Sequence, residues 1–509
     1  MLAKFFSLST LGIECETISV EVDISRGLGS FTVVGLGDAA VQEARERVRS
    51  AIKNSELPFP IARITVNLAP ANIRKNGALF DLPIALGVLM ARGVFEAKNS
   101  IMEETVFIGE LALNGDLRHV TGVLPMAIHA KEKGFKKIIL PKVNAEEASL
   151  VEGIEVLAAE NLLEIVAYLS GENNLEVSSS DAFKGFQAEY PPGLDFCYVK
   201  GQSHAKRALE ISAAGGHNIL LCGSPGSGKT LMAKAFQSIL PPMSLEEALD
   251  VTRIYSIANK LPHGQALIKQ RPFRTVHHTA SAISIIGGGR IPMPGEISLA
   301  HKGVLFLDEM PEFPQNVLEV LRQPLEDKKI TVTRVNGVSE FPAQFTLLAA
   351  MNPCSCGYFN VPQSDKECSC PPQSIQRYQK KISGPLLDRI DIYVDVSPVK
   401  FEKLKSMKDE ESSASIRKRV NIARVKQEQR FSKREMSYNT EMGNKEIKEF
   451  CQVPEEAHSL LKLAVSQMNL SARAYHRILK TARTIADLAD RDDILVDDVA
   501  EALQYRKKN

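Results

Sequence analysis

Eight consecutive residues, Gly223-Ser224-Pro225-Gly226-Ser227-Gly228-Lys229-Thr230, follow the apolar run Asn218 to Leu221 and precede a helical pattern that starts at Leu231. Strand, glycine-rich loop and helix in that order predict a phosphate-binding loop, because the glycines let the backbone curl until its N–H groups and the helix N-terminus face phosphate oxygens. In such a loop Lys229 reaches the β and γ phosphates of ATP, and the Thr230 hydroxyl holds Mg2+. A second apolar strand, Val304 to Leu307, delivers Asp308 and Glu309 to the end of the same sheet. Asp308 reads as a second Mg2+ group and Glu309 as the base for an attacking water, so hydrolysis rather than mere binding is expected. A third strand, Phe345 to Ala350, leads into Met351-Asn352-Pro353, where the Asn352 amide reads either as a group that positions that water or simply as part of an Asn-Pro turn.

Other residues carry different chemistry. The chain has eight cysteines, four of them in two CxC pairs, Cys354-Ser-Cys356 and Cys368-Ser-Cys370. Four thiolates on two tight turns suit a single structural Zn2+. Free thiols or a reversible disulfide pair are the alternatives. Cys15, Cys197, Cys222 and Cys451 are scattered and read as packing residues. The tandem His277-His278 lacks further spaced ligands and reads as a polar loop or a subunit contact. Ile286-Gly-Gly-Gly-Arg290 suits a mobile loop at a pore, and Lys328-Lys329-Ile-Thr-Val-Thr-Arg334-Val-Asn336-Gly337 predicts a hairpin turned by Asn-Gly. Arg290, Lys328, Lys329 and Arg334 either contact DNA phosphates or form a solvated basic surface.

The elements that must hold these groups belong to a chain of 509 residues, with 62 Lys+Arg against 61 Asp+Glu and a net charge of +1. That balance excludes a uniformly basic nucleic-acid wrapper. A composition 44% hydrophobic and 24% charged is ordinary for a globular protein, and the length predicts two to four domains. No apolar run is long enough for a membrane helix, and the N-terminus turns polar and acidic too soon for a signal peptide, so a cytoplasmic protein without membrane contact is expected.

Residues 1–171 alternate strands (Ile18 to Val22, Ser30 to Val34, Arg63 to Asn67, Lys137 to Leu140) with helices (Ala39 to Lys53, Pro83 to Arg92) and predict a self-contained α/β domain. Residues 172–195 read as a linker, 196–398 as a second α/β domain, and 399–509 as a mainly helical domain. In that last part Ile416 to Arg434 carries eight Lys/Arg around Glu428, which predicts a basic solvent face or a duplex contact.

The order of these motifs resembles that of the AAA+ ATPases, in the branch that holds magnesium chelatase and the MCM helicases. The resemblance makes residues 223–230 the Walker A loop, 304–309 the Walker B strand and Asn352 sensor 1. It implies that Arg389, in Gly384-Pro-Leu-Leu-Asp388-Arg389, is an arginine finger entering the neighbouring subunit's site, and that Arg473 is sensor 2, touching the γ-phosphate from a lid. Taken alone, either arginine reads as a surface ion pair. An arginine supplied in trans implies a ring, a homo-hexamer, whose channel would receive the loop with Arg290 and the hairpin.

Residues 63–94 and 107–142 look like the proteolytic domain of Lon proteases, but its serine and lysine fall on Leu79 and Leu124, which cannot do acyl transfer. A degenerate scaffold or nucleic-acid platform is expected there, with Arg74 and Lys75 either DNA contacts or part of a solvated loop. Across nearly the whole chain the three parts together resemble the ComM/YifB family of Mg-chelatase-like ATPases, which is associated with DNA branch migration in natural transformation. The fold this implies is an α/β one: a Lon-protease-like N-domain, an AAA+ core with a helix-2 insert and a hairpin before sensor 1, and a helical lid. The implied function is an Mg2+-dependent, ATP-hydrolysing ring motor on single-stranded or branched DNA, a helicase or branch-migration factor with recombination proteins among its partners. The alternatives are a chelatase-type motor subunit and a protein-remodelling AAA+ ATPase that does not act on DNA.

Overall fold

A computed structural model describes residues 2–506 apart from 76, 180–185, 192–194, 263, 290–291, 335–336, 362–365, 399–409, 435 and 469. The N-terminal part builds strands β1 (Leu2–Leu11), β2 (Glu14–Ser25), β3 (Ser30–Val34), β4 (Arg63–Ala69) and β5 (Thr105–Phe107). A short ladder, β6 (Glu110–Leu111) with β7 (Leu117–Arg118), is followed by β8 (Lys137–Pro141), β9 (Glu155–Ala159) and β10 (Glu176–Ser178). Eight of these form one mixed sheet in the order β10-β9-β8-β5-β1-β2-β4-β3. The centre is the long antiparallel pair β1–β2, in register from Leu2↔Asp23 to Leu11↔Glu14. Alternation in β2 buries Ile18, Val20 and Val22. Helices Asp81–Arg92 and Val123–Glu132 cover the inner face with Leu82, Leu86 and Leu124. β10 falls inside residues 172–195 and pairs antiparallel with β9, so the stretch expected as linker begins by completing the sheet. Three residues suffice for that edge strand, too few to leave a periodic signal.

The second part holds β11 (Ile219–Gly223), β12 (Phe273–Val276), β13 (Gly287–Gly288), β14 (Met293–Pro294), β15 (Val304–Leu307), β16 (Lys329–Arg334), β17 (Gly337–Pro342), β18 (Thr346–Met351) and β19 (Ile392–Val396). Five of them form a parallel sheet in the order β12-β15-β18-β11-β19. Both faces of this sheet are covered, which is why its strands read as continuous apolar runs. Ile219, Leu221, Phe306 and Leu348 belong to one core, while Leu220, Leu305, Leu307 and Leu347 belong to the other. β13–β14 and β16–β17 are separate antiparallel pairs, and the second is the predicted hairpin; its Asn336 turn lies outside the described residues.

The parts are packed together. Ala248 and Val251, from helix Leu245–Ile257, join the core of the N-terminal sheet. The β1–β2 turn lies against the hairpin, where a Cβ on Gly12 would stand 2.8 Å from Ser339 Cβ. Helices Ser413–Phe431 and Ala472–Leu488 share a core with one face of the parallel sheet.

Several charges of the basic run in and just after helix Ser413–Phe431 are paired within the fold rather than left to solvent, while Lys418 and Lys433 stay exposed. Arg419 pairs with Glu210 at 2.5 Å and with Glu411, Lys426 with Asp490 and Asp492 at 3.0 Å, and Arg430 with the buried Asp487 at 2.6 Å. The Arg424 guanidinium lies 3.8 Å from the Tyr438 ring centroid. Apart from Glu411, just upstream, the neutralising acids sit far away in sequence, so the local charge run could not show them. Among the described residues no helix is long and apolar enough to cross a membrane.

Candidate nucleotide-binding site

Register in the parallel sheet brings three strand ends side by side, with Cys222 opposite Met351 and Leu307 opposite Ala349. The glycine-rich loop, the acidic pair and Asn352 therefore leave the sheet at the same carboxyl edge, where ligands of open α/β sheets bind. Gly226 and Gly228 take φ of +76° and +90°, a left-handed backbone that only glycine adopts readily, and Gly228 caps helix Lys229–Phe236. Lys229 Nζ donates to the carbonyls of Gly223 and Ser224 at 2.8 and 2.9 Å and to Asn352 Oδ1 at 3.2 Å. Burial lowers its ammonium from the ordinary lysine range, which favours an anionic partner. Thr230 Oγ1 donates to Asp308 Oδ2 at 2.8 Å. A hydroxyl beside a carboxylate at a helix N-terminus is a hard-oxygen donor set that fits Mg2+ on a phosphate.

Glu309 is exposed and holds φ at +52°, an uncommon conformation for a non-glycine residue that costs roughly 1–2 kcal/mol. Strain of this kind gathers at functional sites. His278 Nδ1 lies 3.9 Å from Glu309 Oε2. The sequence reading took this histidine as a polar loop or subunit-contact group; the usable signal was the short strand β12, whose last residue Val276 pairs with Leu307 and so places the next residues beside the acids.

Arg389 lies at the opposite edge of the sheet. Its carbonyl accepts from the side chain of Asn218, the residue before β11, at 3.0 Å, whereas the phosphate loop follows the far end of that strand. Five strand residues separate the two by roughly 16 Å. Arg389 is buried, pairs with Glu326 at 2.6 Å and donates to the Pro385 carbonyl at 2.6 Å. Arg473 approaches the same Glu326 at 3.6 Å. The two arginines are thus brought to each other through Glu326, a residue the sequence reading did not single out, with Arg473 placed beside Arg389.

The four thiols converge, all within 4.8 Å of one another. The backbone N–H of Tyr358 lowers the Cys356 thiol, whereas the facing thiols help to raise that of Cys368, so without metal the neighbours share protons. Of the basic residues expected at DNA, Lys328 pairs at 2.8 Å with the buried Glu441 of the C-terminal part, and Lys329 pairs with Glu340 across the hairpin at 2.9 Å. Arg334 ends β16 opposite Gly337, and Arg290 lies outside the described residues. In the N-terminal domain Leu79 and Leu124 are core residues. Lys75 is 0% exposed and donates to the Pro70 carbonyl, which overturns the reading of it as a DNA contact or a solvated loop residue.

A parallel sheet in this order, with the phosphate loop following β11 beside the edge strand β19 and an acidic pair following β15 on the far side of β18, defines a P-loop protein of the AAA+ magnesium-chelatase type. The family model for magnesium chelatase, subunit ChlI, matches residues 195–404; subunit ChlI of Mg-chelatase matches 20–144, and the subunit ChlI C-terminal model matches 410–506. The chain is 42% identical to competence protein ComM of Haemophilus influenzae over 99% of its own length and 97% of that protein's. It is 42% identical to YifB of Escherichia coli (98% and 96%) and 41% identical to YifB of Salmonella typhimurium (99% and 97%). The chain belongs to the ComM/YifB family of Mg-chelatase-like proteins.

Proposed function

We propose that this protein is an Mg2+-dependent ATPase that works in the cytoplasm as a homo-hexameric ring on DNA, as a helicase or branch-migration motor in recombination or natural transformation. The observation that carries the ATPase is the convergence of Lys229, Thr230, Asp308, Glu309 and Asn352 at one sheet edge. In this reading the loop 223–228 and Lys229 bind the β and γ phosphates, phosphate oxygens replacing the carbonyls that the ammonium now touches. Thr230 and Asp308 would hold Mg2+, which when bound neutralises charge on the transferred phosphoryl oxygens. Glu309 takes the proton of the attacking water, and Asn352 orients that water. Arg389, at the sheet edge opposite its own phosphate loop, serves the neighbouring subunit and exchanges Glu326 for its γ-phosphate, and Arg473, which reaches the same Glu326, touches the γ-phosphate from the lid. The four thiolates form a structural Zn2+ site. Leu79 and Leu124 leave the N-terminal domain without peptidase chemistry.

Full-length similarity to a protein named for competence supports DNA as the substrate, and Arg290, Lys329 and Arg334 are the expected phosphate contacts. The test is steady-state ATP hydrolysis with and without single-stranded, duplex and four-way-junction DNA, using Glu309→Gln as the blank. Severalfold stimulation that falls with salt is the expected result. Hydrolysis indifferent to every DNA would turn the reading towards a chelatase-type motor or a protein remodeller. Lys229→Ala is expected to lose binding of a fluorescent ATP analogue while keeping its circular dichroism spectrum.

A further inference from the structure

The cysteine loop touches the nucleotide site on two sides. Its first thiol, Cys354, follows Asn352 by two residues, and Asn352 Oδ1 accepts from Lys229 Nζ at 3.2 Å. Between them the Pro353 carbonyl accepts from Gln379 Nε2 at 3.1 Å. Further along, Gly357 at φ +88° lies flat against the phosphate loop itself: a Cβ there would stand 2.4 Å from Cδ of Pro225. The first CxC pair thus lies between Asn352, two residues before it, and Gly357, which abuts the phosphate loop directly after it.

The sulfurs have the spacing of one metal centre. Cys354 and Cys356 are 3.3 Å apart, Cys354 and Cys368 3.7 Å, and Cys356 and Cys368 3.6 Å. Zn–S bonds of about 2.3 Å in a tetrahedron put sulfurs roughly 3.8 Å from one another. The Gly357 N–H donates to Cys354 Sγ at 3.3 Å, an outer hydrogen bond of the sort that orients a ligating thiolate. Only Cys354 of the four is buried, so apolar packing alone gives the loop little to hold its shape.

We infer that a Zn2+ ion held by Cys354, Cys356, Cys368 and Cys370 is a positioning element of the ATP site, fixing Asn352 and seating Gly357 against Pro225. The inference rests on the nucleotide reading of residues 223–230. Bound metal ties the two CxC turns together and so keeps Gly357 pressed on the phosphate loop. Loss of metal frees that face and lets Asn352 leave Lys229.

The test uses the full chain expressed with zinc. Metal content by mass spectrometry, affinity for a fluorescent ATP analogue and hydrogen exchange over residues 223–230 are compared among the parent, Cys368→Ser/Cys370→Ser and Gly357→Ala. The parent is expected to hold one zinc per chain. The double serine variant should hold none, keep the melting transition of its N-terminal domain, bind the analogue more weakly and exchange faster over 223–230. Its turnover should fall about 100-fold, the scale produced by misplacing a catalytic group by about 1 Å. Gly357→Ala should retain zinc yet weaken the analogue, separating the contact with Pro225 from metal binding. A parent without zinc overturns the metal site while leaving the nucleotide site standing. A zinc-free variant with parental affinity and exchange overturns the coupling. A zinc-loaded parent that binds no nucleotide sinks the underlying reading of residues 223–230, and the inference with it.

Discussion

The N-terminal domain and the nucleotide-binding core are both α/β layers on a central sheet, yet their charged residues meet opposite fates. In the N-terminal domain three charges near the Lon-like positions are closed off. Asp81, 0% exposed, is gripped by Arg47 at 2.6 and 3.1 Å, Lys75 by the Pro70 carbonyl, and Glu147 by the Leu124 N–H at 2.9 Å. In the core, Lys229 rests on carbonyls that a phosphate can displace, Glu309 is exposed, and Arg389 has a buried Nε without a partner. The lesson is that a fold of this class does not declare chemistry; unsatisfied capacity at a sheet edge does.

The largest effect that would sharpen the comparison lies in the core. Glu309→Gln keeps shape and loses the base, so hydrolysis should fall by about 10^2–10^4-fold with ATP affinity retained. Near-parental turnover would show that the acid is as idle as those of the N-terminal domain. Next comes Arg389→Ala, for which turnover should drop about 10^3-fold, or ~4 kcal/mol of transition-state stabilisation. Because Arg389 and the phosphate loop stand at opposite sheet edges, mixing inactive Arg389→Ala with inactive Lys229→Ala protein should restore hydrolysis. A mixture that stays dead would remove the trans assignment.

From the other side, Leu79→Ser with Leu124→Lys tests whether the N-terminal domain is merely missing two groups. Both positions are core, so the double variant should lose about 3 kcal/mol or more in thermal or denaturant unfolding and still leave casein intact. Casein cleavage would mean that the surrounding groups retain a catalytic arrangement.

Much of the core was readable along the chain because its site is built from strand ends. An apolar run followed by Gly-rich, Asp-Glu or Asn residues already states which side chains a parallel sheet delivers to one edge. What escaped was long-range neutralisation. Lys328 and Arg430 are a local basic signal in sequence, but their partners Glu441 and Asp487 arrive from elsewhere in the C-terminal part. Likewise Lys75 sits in a polar stretch, Arg74-Lys75-Asn76, and is nonetheless enclosed. Strand β1 was missed because its residues Phe5, Ser7, Leu8 and Ser9 are all buried, so no clean two-residue alternation survives. Charge runs therefore misled where the fold folds back on them, and motifs succeeded where position in the sheet is local to the strand.

The smallest predicted effect asks how the closed domain is tied to the open one. Ser256, on helix Leu245–Ile257 of the core, has its Oγ 2.5 Å from Glu147 Oε1, and Arg253 of the same helix donates to the Ile13 carbonyl at 3.0 Å. Burial raises the Glu147 carboxyl above the ordinary range, and Ser256 and the Leu124 N–H pull it back, so the serine helps to stabilise a charge inside the joint. Ser256→Ala removes one donor and leaves the others, which should cost about 1–2 kcal/mol in unfolding. The loss should appear as faster hydrogen exchange in helices Val123–Glu132 and Leu245–Ile257, with the phosphate loop unchanged. No change in either helix would leave the apolar contacts of Ala248 and Val251 as the whole of the tie, and the N-terminal domain would then be held by packing alone.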